Sequence, residues 1–266
     1  GERVLIPSAW RSALQAAGIA AGSNWQRLEG DVLVAQSATA KCYRMKLVDG
    51  DCIYFKRDSY SPRRRLGYLL RASRNVVEAY AYGQFALLGI AAPELLGVAE
   101  RRRFGMPVSS FVVTREIRGS MNLLDYLREV WVRLPEAQRL IQWRALAACL
   151  IAQLKRAHHA GFFHQDLKFR NLLVRENAGR FELFWIDAPR ARRRRWRARR
   201  GVIVDLSGLA RVAVFTSSCF ERMRFIRSYL GPDAAPGEAA RLYRQIAAHL
   251  SRRAPKPLVL SYPENG

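Results

Sequence analysis

The hydrophobic period of this chain changes once, near residue 118, and that change limits the folds open to it. Before it, residues 32–37, 42–47 and 52–57 read as short strands, separated by small and turn residues around Ala38 and by Asp49-Gly50-Asp51. A first helix is expected over residues 9–17. Residues 74–88 shift to helical spacing, with Val77, Tyr80, Ala81, Gln84, Phe85 and Leu88 on one face and Gly89 as the stop. Strands follow at 95–100 and 110–117, with Arg101-Arg102-Arg103 as the turn between them. Beyond Asn122 the pattern is mostly helical. Residues 140–161 form a long helix whose uncharged stretch, 145–154, predicts burial on most sides. Short apolar segments at 172–175 and 181–186 precede helices at 206–214, 219–230 and 238–250, and the tail with Pro255, Pro257 and Pro263 is expected to be non-helical. A strand-rich part, 1–118, before a helix-rich part, 119–266, predicts an α+β protein of two lobes with a cleft between them.

Charge narrows the partners. Lys plus Arg number 45 against 22 Asp plus Glu, a formal net charge of +23. A balance that lopsided implies an anionic working surface, such as nucleic acid, acidic lipid or a phosphorylated glycan. Cys42, Cys52, Cys149 and Cys219 form no CxxC pair and no zinc spacing, so they read as reduced thiols of a cytosolic protein. No signal-peptide pattern is visible, and no uncharged run approaches the ~20 residues that a bilayer span requires. The expectation is a soluble or peripheral protein. The residues specify no oligomeric state.

The chemistry concentrates in His164-Gln165-Asp166-Leu167-Lys168-Phe169-Arg170-Asn171, between a long helix and an apolar segment. Phosphoryl transfer needs a carboxylate to orient the attacking hydroxyl, oxygen ligands for Mg2+ and cations over the moving phosphoryl group. Asp166 suits the first need, Asn171 the second and Lys168 the third. Asp187 closes the apolar segment that ends at Ile186, where a charge is costly unless paired or bound to metal. A β-hairpin would return it to Asp166. In the first part, Lys56 ends a strand and Glu78 lies on the next helix, a pairing suited to the α- and β-phosphates of ATP. Glu116 and Arg118, at the end of the last strand before residue 119, are further candidates for nucleotide contact.

Lys56, Glu78, Asp166, Asn171 and Asp187, in that order and approximate spacing, resemble the protein-kinase superfamily over residues 30–230. The resemblance implies a bilobal protein-kinase-like fold, with an antiparallel sheet and one main helix before a helical second lobe. It implies an ATP-dependent phosphotransferase with Asp166 as base, Asn171 and Asp187 as Mg2+ ligands, and Lys56 clamped by Glu78. His164 becomes a packed, hydrogen-bonded loop residue, and Asp205 a helix-start aspartate that braces the catalytic loop through its backbone. Departures narrow the branch. Gln36-Ser37-Ala38-Thr39-Ala40-Lys41 lacks the glycines of a GxGxxG loop, Asp187 precedes Ala188-Pro189 rather than Phe-Gly, Gln165 replaces an arginine, and no Ala-Pro-Glu motif occurs.

These features resemble the lipopolysaccharide core kinases of the Kdo kinase and heptose kinase type. That likeness implies an anionic glycolipid acceptor at the cytoplasmic face of the bacterial inner membrane. Composition agrees: Arg190, Arg192, Arg193, Arg194, Arg195, Arg197, Arg199 and Arg200 follow directly on Asp187. Arginine matches phosphate and carboxylate with paired hydrogen bonds, and each basic residue near an anionic leaflet is worth ~1 kcal/mol. Trp196 suits the interface, and Arg63-Arg64-Arg65 and Arg101-Arg102-Arg103 extend the basic face. The arginine-rich segment runs against kinases of the aminoglycoside or choline type, whose acceptors are cationic. An atypical protein kinase with acidic substrates remains an alternative, as does a kinase-shaped scaffold. Nucleic acid is not expected as a partner, because aromatic residues are not interleaved with the basic patches.

Overall fold

The computed structural model describes residues 1–177, 179–194 and 196–252. Arg195 and the proline-containing tail therefore lie outside the described residues. The chain divides into two units. The first comprises Gly1–Leu87, Ala92–Arg118 and Ala188–Arg190. The second comprises Leu88–Ala91, Gly119–Asp187 and the residues from Ala191 onward.

The first unit contains β1 (Glu2–Leu5), α1 (Arg11–Ala16), β2 (Val32–Gln36), β3 (Ala40–Lys46), β4 (Cys52–Ser59), α2 (Pro62–Arg65), α3 (Arg74–Leu87), β5 (Leu95–Arg103) and β6 (Met106–Arg115). Its six strands form one antiparallel sheet in the order β1-β5-β6-β4-β3-β2. Side chains alternate across such a sheet. Tyr43, Met45, Ile53, Phe55, Ala99, Phe111 and Val113 therefore share one face with Leu14, Ile19 and Trp25 of the N-terminal segment. The Phe111 ring meets Trp25 edge-on at 5.0 Å and Phe55 at 5.5 Å. On the other face lies α3, where Asn75 donates to the carbonyl of Ser110 at 3.0 Å.

Two features of this unit differ from expectation. Arg101-Arg102-Arg103 is not a turn but the end of β5, opposite Met106–Ser109, and the turn is Phe104-Gly105. Carboxylates let the arginines extend the strand: Arg101 pairs with Glu2 at 2.9 Å and Arg102 with Glu100 at 2.7 Å. Sequence reading also missed β1. Its Glu2 accepts from the Trp25 indole and from the amide of Gly22, both at 2.9 Å, and so pins the segment that covers the sheet.

The second unit contains β7 (Met121–Asn122), α4 (Leu123–Glu129), α5 (Glu136–His159), β8 (Phe162–Phe163), β9 (Leu172–Asn177), β10 (Arg180–Trp185), β11 (Arg192–Arg193), α6 (Ala198–Thr216), α7 (Cys219–Leu230) and α8 (Glu238–Ser251). Asn122 caps α4 by accepting from the Asp125 amide, and Ser218 caps α7 through Glu221. The long helix α5 is not buried on most sides. Leu146, Leu150, Gln153, Leu154, Ala157 and His158 form its buried stripe, while Ala145, Ala148 and Ala152 face solvent. Alanine is uncharged, and its high helix propensity suits an exposed helical face as well as a core. All four cysteines are free thiols. Among the described residues no helix is long and apolar enough to cross a membrane.

Replacing Phe111 with alanine removes a fully buried ring from between Trp25 and Phe55. Phe111→Ala is expected to destabilise the first unit by about 3–5 kcal/mol, read from the shift of its urea-unfolding midpoint.

Candidate active site

The segment His164–Asn171 is held in place by one buried carboxylate. Asp205 is completely buried in the middle of α6, and its Oδ2 accepts from the backbone N–H of His164 at 3.0 Å. Its Oδ1 accepts from the N–H of Gln165 at 2.6 Å. Asp205 therefore braces this loop through its backbone, though from mid-helix rather than from a helix start. The helix begins seven residues earlier, at Ala198. His158 of α5 completes the carboxylate's partners at 3.3 Å, and the Tyr229 hydroxyl lies 2.8 Å from the other nitrogen of His158. Burial and the charge of Asp205 push the Tyr229 hydroxyl well above its ordinary pKa, so it stays protonated.

Constrained at both amides, Gln165 takes a left-handed backbone with φ 64°, rare for a side chain of that size. His164 is fully buried; one ring nitrogen lies 3.0 Å from the Ile186 carbonyl, and the other accepts from the amide of Asp166 at 3.3 Å. That pattern requires a neutral ring, and burial holds the imidazole below its ordinary pKa. Asp166 and Lys168 form an ion pair at 2.5 Å, both partly accessible. The Asn171 amide nitrogen donates to the Asp166 carbonyl at 2.9 Å, which turns Oδ1 away as an acceptor. The hairpin β9–β10, with Leu172 opposite Trp185, returns the chain so that Ile186 donates to the Asn171 carbonyl at 3.0 Å. Asp187 follows, again left-handed at φ 56°. Behind the hairpin, Gln153 accepts from the Trp185 indole at 2.8 Å and donates to the Leu183 carbonyl at 2.7 Å.

The fit to a magnesium-bound nucleotide rests on donor chemistry. Among the described residues no cluster of three His, Cys, Asp or Glu side chains stands ready for a metal. Mg2+ needs only one or two protein oxygens beside phosphate and water, and the Asn171 amide oxygen and the Asp187 carboxylate lie at the two ends of one hairpin.

In the first unit Lys56 and Glu78 form an ion pair at 2.7 Å, and the Tyr82 hydroxyl holds the second glutamate oxygen at 3.1 Å. Both carboxylate oxygens of Glu116 accept from Arg44, at 2.6 and 2.9 Å, and this pairing holds Glu116 below the usual carboxylate range. Arg118 reaches Asp51 at 3.2 Å. In the glycine-poor turn, the Ser37 hydroxyl accepts from the Ala40 amide at 3.1 Å.

Much of the arginine run is built into structure. Arg192 and Arg193 pair with Phe163 and Phe162, and the Arg194 amide donates to the Gly161 carbonyl at 2.8 Å. The Arg194 guanidinium donates to the Gln165 side chain at 3.2 Å, and partial burial lowers its pKa. Arg190, Arg192, Arg193 and Arg197 are exposed. Arg197, Arg199 and Arg200 line, with Gln245, His249 and Arg252, a cavity of about 850 Å³ between α6 and α8. Sequence reading missed His158, Tyr229 and Gln153, whose roles are set by partners far along the chain. It also missed Gly208, where an added Cβ would lie 2.0 Å from the Leu167 carbonyl oxygen. A glycine inside an apolar helical run was the available signal.

The fold and this arrangement define a phosphotransferase of the protein-kinase-like class. The chain belongs to the lipopolysaccharide kinase (Kdo/WaaP) family, whose model matches residues 35–229. In fold it is similar to WaaP in complex with acyl carrier protein, with a TM-score of 0.68, 22% identity, and coverage of 95% of this chain and 98% of that one. It is more distantly similar to the Rio2 kinase of Chaetomium thermophilum, solved as an ADP/Mg2+-phosphoaspartate complex. That match has a TM-score of 0.51, 16% identity, and coverage of 84% and 70%. No curated relative matches the chain.

Two outcomes follow from this geometry. Because the Gly208 neighbour is backbone of the loop that carries Asp166, Gly208→Ala is expected to cost about 1–3 kcal/mol of stability and to lower turnover, read by thermal melting and by kinase assay. The second concerns pH. Unfolded His164 takes a proton as pH falls through about 6.5, whereas the folded ring resists it. Stability of the second unit is therefore expected to fall as pH drops below about 6.5. Urea titrations across that range check this, and His164→Gln should flatten the slope.

Proposed function

We propose that this chain transfers the γ-phosphate of ATP, with Mg2+, to a sugar hydroxyl of the lipopolysaccharide inner core, a heptose or Kdo, at the cytoplasmic face of the inner membrane. The observation that carries the reading is the Asp166–Lys168 ion pair within a loop braced by Asp205, in a member of this family. Bound ATP and Mg2+ would supply the activated phosphoryl group and most of the charge that neutralises it. Asp166 orients the acceptor hydroxyl and takes its proton. Lys168 lies against that carboxylate and offsets the negative charge that gathers on the phosphoryl oxygens. Asn171 and Asp187 hold the metal, and Lys56, kept in place by Glu78, binds the nucleotide phosphates. Glu116 acts on the nucleotide through its backbone, since Arg44 occupies its carboxylate, and Arg118 contributes a cation beside it.

Two features support an anionic glycolipid acceptor: the exposed Arg190, Arg192, Arg193 and Arg197, and the arginine-lined cavity between α6 and α8. A multiply phosphorylated acceptor meets guanidinium groups there in paired hydrogen bonds. Arg195 belongs to the same run and to the same proposed contact.

The test is transfer from labelled ATP to two purified core-truncated lipopolysaccharides, one ending in heptose and one in Kdo. Because WaaP was captured with acyl carrier protein, assays run with and without that protein. Wild type is expected to label one acceptor, which names the sugar. Asp166→Asn is expected to lower turnover by about 10²–10⁴-fold while nucleotide binding persists. Nucleotide binding without label on either glycolipid overturns the acceptor assignment.

A further inference from the structure

In the first unit, two neighbouring loops expose large apolar side chains that the proposed chemistry does not use. Leu66, Leu69 and Leu70 follow α2, and Phe104 forms the β5–β6 turn; they are 68%, 47%, 89% and 80% exposed. The loops are joined. Arg102 donates to the carbonyls of Tyr68 at 3.2 Å, Arg71 at 2.9 Å and Gly105 at 2.8 Å, and pairs with Glu100 at 2.7 Å. A Cβ at Gly105 would lie 3.4 Å from Leu69, so the two tips are adjacent. Exposed apolar side chains held together and rimmed by charge mark an interaction surface.

Two further observations say what covers it. The rim is wholly cationic: Arg63, Arg64, Arg71 and Arg103 are exposed, and no Asp or Glu occurs from Ser59 to Val77 or from Arg101 to Met106. Arg103 lies over the Phe104 ring at 5.3 Å, with its charge beside the apolar tip. In addition, Leu70 and Phe104 have φ of 59° and 50°, a backbone region that bulky side chains rarely adopt. At both positions glycine would suit the turn better, yet a large apolar side chain stands there. Strain of this kind collects at functional positions.

We propose that this knob docks on a bilayer of anionic lipid, with Leu66, Leu69, Leu70 and Phe104 entering the headgroup boundary and the arginines pairing with lipid phosphates. Apolar burial combined with basic residues at the surface is the physics of peripheral attachment. The inference deepens the proposed function by naming the element that holds the enzyme at its membrane, and its vesicle-binding readout needs neither ATP nor acceptor.

The experiment is sedimentation of the full chain with phosphatidylcholine vesicles, with and without phosphatidylglycerol, at low and high salt. Wild type is expected to bind only vesicles containing phosphatidylglycerol, and less at high salt. Leu70→Gly combined with Phe104→Gly removes two tips and relieves both strained positions, so folding is preserved; a melting curve verifies this. The double variant is expected to lose about tenfold in vesicle affinity while phosphorylating detergent-dispersed acceptor as wild type does. Equal vesicle binding by wild type and variant overturns the proposal. So does a wild-type dimer that the variant disperses, because the knob then serves a second copy of this chain. Likewise, an acidic protein that binds wild type but not the variant, with no vesicle binding, overturns it. Vesicle binding that depends on the knob, in a protein that phosphorylates no glycolipid, upholds the docking surface and removes only the acceptor reading.

Discussion

A carboxylate sealed inside a protein must be fully hydrogen-bonded or it destabilises the fold, and Asp205 meets that demand with the backbone of the loop that carries Asp166. Its two oxygens accept from consecutive backbone amides, those of His164 and Gln165, and bonds to an ionised acceptor are stronger than neutral ones. Two adjacent N–H groups can reach one carboxylate only if the chain bends sharply, and the left-handed Gln165 is that bend. From there the backbone runs on to Asp166, whose amide finds His164, and to Asn171, whose side chain returns to the Asp166 carbonyl. Each later contact presumes the earlier one. The loop is therefore organised from α6 outward.

The arginine segment has two physical roles in one stretch of sequence. Through backbone pairing, Arg192 and Arg193 lie beside the short strand that leads into the His164–Asn171 loop, and Arg194 reaches the side chain of Gln165. In kinases that carry an arginine where Gln165 stands, that position presents a cation; here it accepts a hydrogen bond from one. Other members of the run project from the surface or line the cavity between α6 and α8, where Arg199 is partly balanced by Glu238 at 3.3 Å. Arginines also cluster around the apolar knob of the first unit, and in both clusters repulsion among them is relieved most effectively by an anionic partner.

The legible and illegible parts of the chain divide along a physical line. Strands, the helix carrying Glu78 and the hairpin before Asp187 were readable because alternation and helical spacing are local properties of the backbone. The pairing of Lys56 with Glu78 was readable because a lysine at a strand end and a glutamate on the next helix have few other ways to be satisfied. Local signals failed where composition imitates structure. Three arginines looked like a turn, until Glu2 and Glu100 supplied the charges that let β5 continue. An uncharged, alanine-containing run at 145–154 looked buried on most sides, and three of its ten residues face water.

By itself the sequence carried the candidate groups and their order, a carboxylate, a lysine and an amide in HxDLKxxN spacing, since residue types at short separation are legible without a fold. It also determined the α+β class, through a period that changes once. Only the tertiary structure decided what stands behind the His164–Asn171 loop. His158 and Tyr229, from two further helices, back the aspartate that the sequence had already marked at 205, Gly208 is required by one carbonyl of a distant loop, and Arg71 becomes a neighbour of Gly105 through Arg102. Hydrogen-bond partners and close approaches depend on separation in space, and no pattern of neighbours along the chain encodes that distance.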